Sequence, residues 1–406
     1  MTSTIAFPAW VIGLMSGTSA DGVDAALLYT DGQAVAQSGA SVFVPYEPQL
    51  RVDILNTMYG VGDEHATAQA LTEVHRQAVE LLVGQGGVAR ADIKLIGFHG
   101  QTIAHNPKQG ITVQIGDAPL LAARTGIPVV ADFRIADVKA GGQGAPLVPL
   151  YHAALAQGLE KPVLVVNIGG VANVTWIGAD SEASRPSEPS AREAALHGER
   201  SSASWEHQKI LAFDCGPGNA LIDDWVFKHT KARCDEGGQL AAKGKPDRAA
   251  VEQFLADPFF DLPAPKSLDR NHFSSVIPAE AGIHLQRKVD SSFRWNDVAW
   301  SLEDGAATLT AFTAAAIMEA VRIVPEKPKC LLICGGGRHN PVMMEMLKQY
   351  QLPVHPVEEV GWNGDMLEAE AFAYLAARSV QGLPLSLPST TGVPKPQTGG
   401  TLFQPK

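Results

Sequence analysis

Apolar and polar positions along this chain fall into blocks that read as strands, turns and helices. Residues 10–15 and 23–29 are short apolar runs flanking a turn of small residues, Ser16, Gly17, Thr18, Ser19, Asp21 and Gly22. The pattern predicts strand, polar glycine turn, strand. No helical period follows Gly22, which excludes the strand, glycine loop, helix order of P-loop and dinucleotide-binding motifs. Further strand-like runs lie at 94–98 and 111–115, and residues 65–84 set Ala68, Leu71, Val74, Ala78, Leu81 and Leu82 at helical spacing. A mixed sheet backed by helices is the expectation.

A second set of elements begins at 162–178, where two apolar runs flank Gly169 and Gly170, and continues through ILAFDCGPGNALIDDW at 210–225. The opening hairpin therefore recurs about 150 residues on, as duplicated halves would give, although two glycine turns also arise by chance. Residues 304–322 read as a long core helix, and CLLICGGGRHNPVMMEML at 330–347 as strand, triple glycine, helix. Residues 364–378 form an amphipathic helix carrying Glu368 and Glu370. The Pro/Gly-rich tail from Pro384 is expected to fray. Residues 179–208 and 274–300 lack a sustained apolar period and read as surface insertions.

At 406 residues the chain exceeds the usual size of a single core, so two domains are expected. The expected division is 1–138 plus 372–395 as the first domain and 139–371 as the second, with 396–406 as tail. Hydrophobic content of 45%, 18% charged residues and 39 glycines describe an α/β enzyme. The net charge of −11 argues against nucleic acid as a partner. Four cysteines without zinc-type spacing point to neither disulfides nor zinc. The sequence shows neither a signal peptide nor a run of about 18 apolar residues, so a cytoplasmic location without a membrane partner is expected.

Glycines let a backbone approach a ligand closely, and amides with Ser or Thr hydroxyls donate to phosphate oxygens. A turn at 16–22 with Asp21 to hold a metal-bound water therefore suits a nucleoside triphosphate, although small polar residues also simply favour tight turns. Asp214 ends an apolar strand before a Gly-Pro-Gly turn. That position suits acid–base work, the alternative being a cap on the next element. Between 96 and 149, polar side chains are dense. His99, Gln101, Thr102, Asp132 and Arg134 suit hydrogen bonding to a polyhydroxylated ligand. His105 is as readily structural, and Asp132 and Arg134, two apart on one strand face, could form an ion pair. Mg²⁺ takes few protein ligands, so no dedicated metal cluster is required.

The motifs GLMSGTSADGVD, GFHGQTIAHNP, QIGD, ADFRIADVKAGGQGAPLVP, NIGGVANVT, FDCGPGNALIDDW, PKS, CGGGRHN and LEAEAFAYLA, in this order, closely resemble the anhydro-N-acetylmuramic acid kinase family. The resemblance implies an α/β, two-domain actin/hexokinase-like (ribonuclease H-like) fold with an interdomain active-site cleft. It further implies conversion of 1,6-anhydro-N-acetylmuramic acid, ATP and water into N-acetylmuramic acid 6-phosphate and ADP, in peptidoglycan recycling, with ATP as co-substrate and Mg²⁺ as cofactor. The partners implied are a small amino sugar and ATP, with a homodimer left open.

Carried onto this chain, the family's ATP-binding stretch falls on Gly17, Thr18, Ser19, Ala20, Asp21, Gly22, Val23 and Asp24. The catalytic aspartate falls on Asp214, activating the attacking water. The adenosine-side glycines fall on Gly335, Gly336 and Gly337, and a sugar-side glutamate falls on Glu368, with Glu370 as the neighbouring alternative. Departures are local: Ala20 replaces a more usual leucine, Cys215 a threonine, and SLDRNHF the common STGRDLF. An actin-like ATPase, another sugar kinase without ring cleavage, or a glycoside hydrolase using paired carboxylates without nucleotide are the competing readings.

Overall fold

A computed structural model describes residues 5–17, 19–179, 209–270, 272–273 and 300–406. Thr18 and nearly all of the expected insertions 179–208 and 274–300 lie outside the described residues. Strands β1 (Ala9–Ser16), β2 (Gly22–Thr30), β3 (Val35–Pro45), β4 (Ile93–Asn106), β5 (Ile111–Ile115), β6 (Val129–Ala131) and β12 (Thr401–Phe403) form a seven-stranded sheet. Its order is β12-β6-β4-β1-β2-β3, with β5 paired to β4. Strands β7 (Val163–Ile168), β8 (Val171–Ile177), β9 (Ile210–Pro217), β10 (Cys330–Cys334) and β11 (Val354–Pro356) form a second sheet in the order β11-β10-β7-β8-β9.

The two orders correspond strand for strand. In the first sheet β1 runs antiparallel to β2 and parallel to β4, and β4 runs parallel to β6. In the second, β7 turns through Gly169 and Gly170 into β8 and runs parallel to β10, which runs parallel to β11. The recurrence of the hairpin is thus a recurrence of a whole five-strand unit.

Two compact units result. One comprises Met1–Lys161, Ile177–Ala212 and Met366–Lys406, and the other Pro162–Trp176 and Phe213–Asp365. The chain passes from one unit to the other after Lys161, Trp176, Ala212 and Asp365. The helix Pro149–Leu155 belongs to the first unit because its Tyr151 hydroxyl donates to Glu370 at 2.6 Å and its ring stands 5.5 Å from Tyr374.

The first sheet is packed on both faces, as period-two alternation in β1 allows. Ile12 and Leu14 join Val23, Ala25, Leu27, Ile54 and Leu71 in one core. Gly13, pointing the other way, lets the helix Leu367–Val380 approach so closely that a Cβ there would overlap the Ala369 carbonyl. Gly97 of β4 does the same beneath Phe372.

The helix Glu64–Gly84 starts where Asp63 accepts from the Ala66 amide at 3.0 Å, and it buries Leu71, His75, Ala78, Val79 and Leu82. Leu81, expected inside, is exposed. The helix Leu302–Ile323 is capped by Ser301 and is long and apolar enough to cross a membrane, yet most of that apolar window is buried within the protein.

The chain beyond Pro384 does not fray. Strand β12 pairs antiparallel with β6, and Ser386 bridges to Gln397. Buried Asp137 accepts from the Gly144 amide at 2.6 Å, from Thr391 Oγ1 at 2.6 Å and from the Ser386 hydroxyl. These tertiary bonds outweigh the loop-like composition of the tail. The four cysteines are free thiols, with Cys215 and Cys334 buried.

Candidate active site

The β1–β2 hairpin presents the turn Gly17–Asp21 at the C-terminal end of β1. The Ala20 amide donates to the Gly17 carbonyl at 3.1 Å, and the Tyr46 amide to the Asp21 carbonyl at 2.9 Å. Ala20 itself is buried with a left-handed φ of 49°, a conformation that costs a residue bearing a Cβ about 1 kcal/mol. At Gly17 an added Cβ would meet only Ser19 Oγ, at 3.6 Å, so the space above this glycine is open.

A buried polar chain floors the turn. The Tyr46 hydroxyl donates to Ser16 Oγ at 2.9 Å, Ser16 donates to Gln101 Oε1 at 2.6 Å, and Gln101 Nε2 donates to the Gly17 carbonyl at 3.1 Å. Burial pushes the Tyr46 hydroxyl pKa well up, against the bond to Ser16 and with help from the nearby Asp21 and Asp24 carboxylates. Tyr46 therefore stays protonated and keeps its donor role. Asp21 is exposed and accepts from Ser19 Oγ at 2.8 Å, and Asp24 is half-buried at the start of β2.

The polar residues of 96–149 divide between scaffold and open groups. His99 is buried against Phe372, its ring 4.5 Å away. Its Nε2 takes a bond from Arg134 Nε at 3.1 Å while Nδ1 lies 2.8 Å from the Gly100 carbonyl, so the proton is assigned to Nδ1. Burial first, then the Arg134 charge, hold its pKa well below the usual histidine range, and it is neutral. Arg134 also donates to the Gly144 carbonyl at 2.7 Å.

Gln101 is fully buried under the hairpin turn. Thr102 is half-buried and accepts from Gln114 at 3.1 Å. Asp132 and Arg134 do not share a strand face, because β6 ends at Ala131. Asp132 follows in a left-handed turn with φ of 60°, and Arg134 starts the helix Ile135–Lys139. A non-glycine residue held there marks local strain of the kind found at ligand sites.

At the start of the helix Leu367–Val380 the two glutamates differ. Glu370 is buried and bonded to Tyr151 and Ser38, its pKa raised chiefly by burial. Glu368 is half-buried.

In the second unit Asp214 lies on β9. Its amide donates to the Lys266 carbonyl at 2.9 Å, and its Oδ2 accepts from the Leu268 amide at 2.7 Å. The PKS segment thus runs alongside β9 and orients the carboxylate. Lys266 is buried, donates to the Phe259 and Phe260 carbonyls at 2.9 and 3.2 Å, and sits 4.4 Å above the Phe259 ring.

Three glycine-bearing turns meet at the C-terminal ends of parallel β7 and β10. The Gly218 and Asn219 amides donate to the carbonyls of Gly170 and Gly169 at 3.0 and 2.7 Å. A Cβ at Gly335, where φ is +73°, would overlap Asn167 Oδ1, and one at Gly337 would overlap Ile168. Gly336 is exposed beside Asn219. Arg338 locks this loop through Glu358 and Asp365, each at 2.8 Å.

Glycine-bearing turns at the carboxyl ends of parallel strands recur in two sheets of one topology, the end at which open α/β sheets bind ligands. A family model described as anhydro-N-acetylmuramic acid kinase matches residues 9–185 and 202–405. The chain belongs to the anhydro-N-acetylmuramic acid kinase family, and it is a sugar kinase.

A relative of that name from Paramagnetospirillum magneticum is 48% identical over 391 residues, covering 96% of this chain and 98% of its own. Another from Acidiphilium cryptum is 47% identical over 403 residues, covering 97% and 98%. Among solved structures, a ligand-bound xylulose kinase from Lactobacillus acidophilus aligns with 98% of this chain and 94% of its own at 10% identity, with a TM-score of 0.42.

Proposed function

We propose that this sugar kinase uses ATP and water to convert 1,6-anhydro-N-acetylmuramic acid into N-acetylmuramic acid 6-phosphate and ADP, in peptidoglycan recycling. The reading places the reaction in the cytoplasm, where ATP is supplied. The observation that carries it is the Asp214 carboxylate, fixed on β9 by the Leu268 amide beside a glycine-rich turn. Such a carboxylate can accept a proton from water as the water oxygen attacks the anomeric carbon. The bond from that carbon to O6 breaks, and O6 takes the γ-phosphoryl group from ATP, leaving ADP. Water excluded from this attack would leave the ring closed and O6 without a free valence, so opening and transfer belong to one reaction.

The turn from Gly17 to Asp24 is assigned to the phosphates, through backbone amides and the open space at Gly17. Gly335, Gly336 and Gly337 are assigned to the adenosine side. Thr102, Asp132, Arg134 and Glu368 are assigned to the sugar, Glu368 being preferred because Glu370 is held inside by Tyr151. His99, neutral and bonded to Arg134, positions that guanidinium. Gln101 is assigned to holding the phosphate turn, since its amide group is committed to Ser16 and Gly17.

Mg²⁺ prefers oxygen ligands and keeps several waters. The exposed Asp21 carboxylate, with Asp24 near the same tyrosine hydroxyl, fits such an ion. It would neutralise phosphate charge during transfer.

Incubation with the anhydro sugar, with and without ATP, tests the whole reading. ATP-dependent appearance of a 6-phosphate supports it. Sugar-independent ATP hydrolysis alone, or ring opening without ATP, overturns it.

A further inference from the structure

Arg51 lies in the first turn of the helix Pro48–Met58, beside the hairpin turn, and is half-buried. Its Nη2 is 3.4 Å from the Ser19 carbonyl oxygen, a long contact, and its Nε is buried with no hydrogen-bond partner. Among the described residues no carboxylate pairs with it. Asp21, the acidic group of the same turn, is instead bonded to Ser19 Oγ. A guanidinium with a buried, unbonded N–H carries a desolvation cost that an anion would relieve. Open space begins at Gly17, two residues from the carbonyl that Arg51 reaches.

We infer that Arg51 is a phosphate-binding residue, its planar fork completing the grip of the Gly17–Asp21 turn on the terminal phosphates of a nucleoside triphosphate. Guanidinium groups match phosphate oxygens in bidentate geometry, which a turn of amides alone does not supply. This rests on the assignment of the hairpin to the phosphates and adds a residue outside every motif of the sequence.

The test is calorimetric titration of the full chain, without sugar, using MgATP and separately tripolyphosphate. Arg51→Gln weakens both by about tenfold or more, the loss expected for one charge-assisted hydrogen bond. Arg51→Lys, which keeps the charge but loses the planar fork, binds both more weakly than the unchanged protein and more tightly than Arg51→Gln. Glutamine can still donate to the Ser19 carbonyl, so a residue that only propped the turn would leave both affinities unchanged in Arg51→Gln, and that result overturns the inference.

Arg51→Met serves as a second neutral variant, with thermal midpoints confirming that each protein is folded. Gly17→Val separates the two levels of the reading. If it abolishes binding while Arg51→Gln is silent, only the role of Arg51 fails. If Gly17→Val is silent too, the phosphate assignment of the turn fails with it.

Discussion

Ser16, the last residue of β1, stands beside Gln101 of the parallel strand β4, the serine hydroxyl donating to the glutamine carbonyl at 2.6 Å across 85 residues of sequence. The bond makes the hairpin turn and β4 one rigid unit. Gln101→Ala would strand the Ser16 hydroxyl and the Gly17 carbonyl. We expect a loss of about 1–3 kcal/mol of stability and a raised KM for ATP, with the KM for sugar little changed. Steady-state kinetics with each substrate varied in turn check this, and a selective rise in the sugar KM would return Gln101 to the sugar site.

Asp214→Asn should abolish turnover, lowering kcat by about 100-fold or more, the usual contribution of a general base. Asparagine retains an oxygen for the Leu268 amide, so the fold should hold. ATP affinity, read by titration, should be nearly unchanged. Near-normal turnover would remove Asp214 from its assigned role.

Acid should destabilise the protein early. His75 and His152 are buried, and burial lowers their pKa values from 6.5 to about 4 and about 3. Below pH 6.5 the unfolded chain takes up these protons while the folded chain does not. Stability is therefore full above 6.5 and falls as the pH drops toward 4, by roughly 3 kcal/mol for His75 alone. His99 adds in the same direction. Denaturant midpoints measured from pH 7 to pH 4 should show the decline, and His75→Leu should flatten it. An unchanged slope in that variant would contradict the assignment.

Asp137→Ala should lower the thermal midpoint strongly. Three donors, from Gly144, Ser386 and Thr391, lose a buried acceptor at once, at a cost of about 3 kcal/mol or more. Hydrogen exchange over residues 385–393 should rise with it. Unaltered protection there would show that the segment is held by β12 alone.

Where apolar periodicity was strong, the sequence was an accurate guide. The strands β1, β2, β7, β8 and β10 and the helices at 64–84, 302–323 and 367–380 lie where the pattern puts them. Strand β3 escaped because its edge position leaves most of VAQSGASVFVP exposed, so no alternation is enforced. The strands β6 and β12 are three residues each and exist through pairing, which no local pattern records.

In the candidate site the glycine turns were legible because they are local, whereas Asp214, expected to end its strand, lies within β9, which runs on to Pro217. The scaffold role of Gln101, the commitment of Glu370 to Tyr151 and the poorly bonded Arg51 depend on neighbours 85, 219 and 32 residues away. No single-sequence pattern carries that information.

Gly13 and Gly97 shape a smooth seat for the helix Leu367–Val380. As the chain emerges from the ribosome, that seat is complete some 270 residues before its occupant is synthesised. The intervening unit, Phe213–Asp365 with Pro162–Trp176, has all its parts earlier and can finish folding first. The nascent protein must therefore carry a bare apolar sheet face through most of its translation, and this is the stage at which a chaperone would be needed.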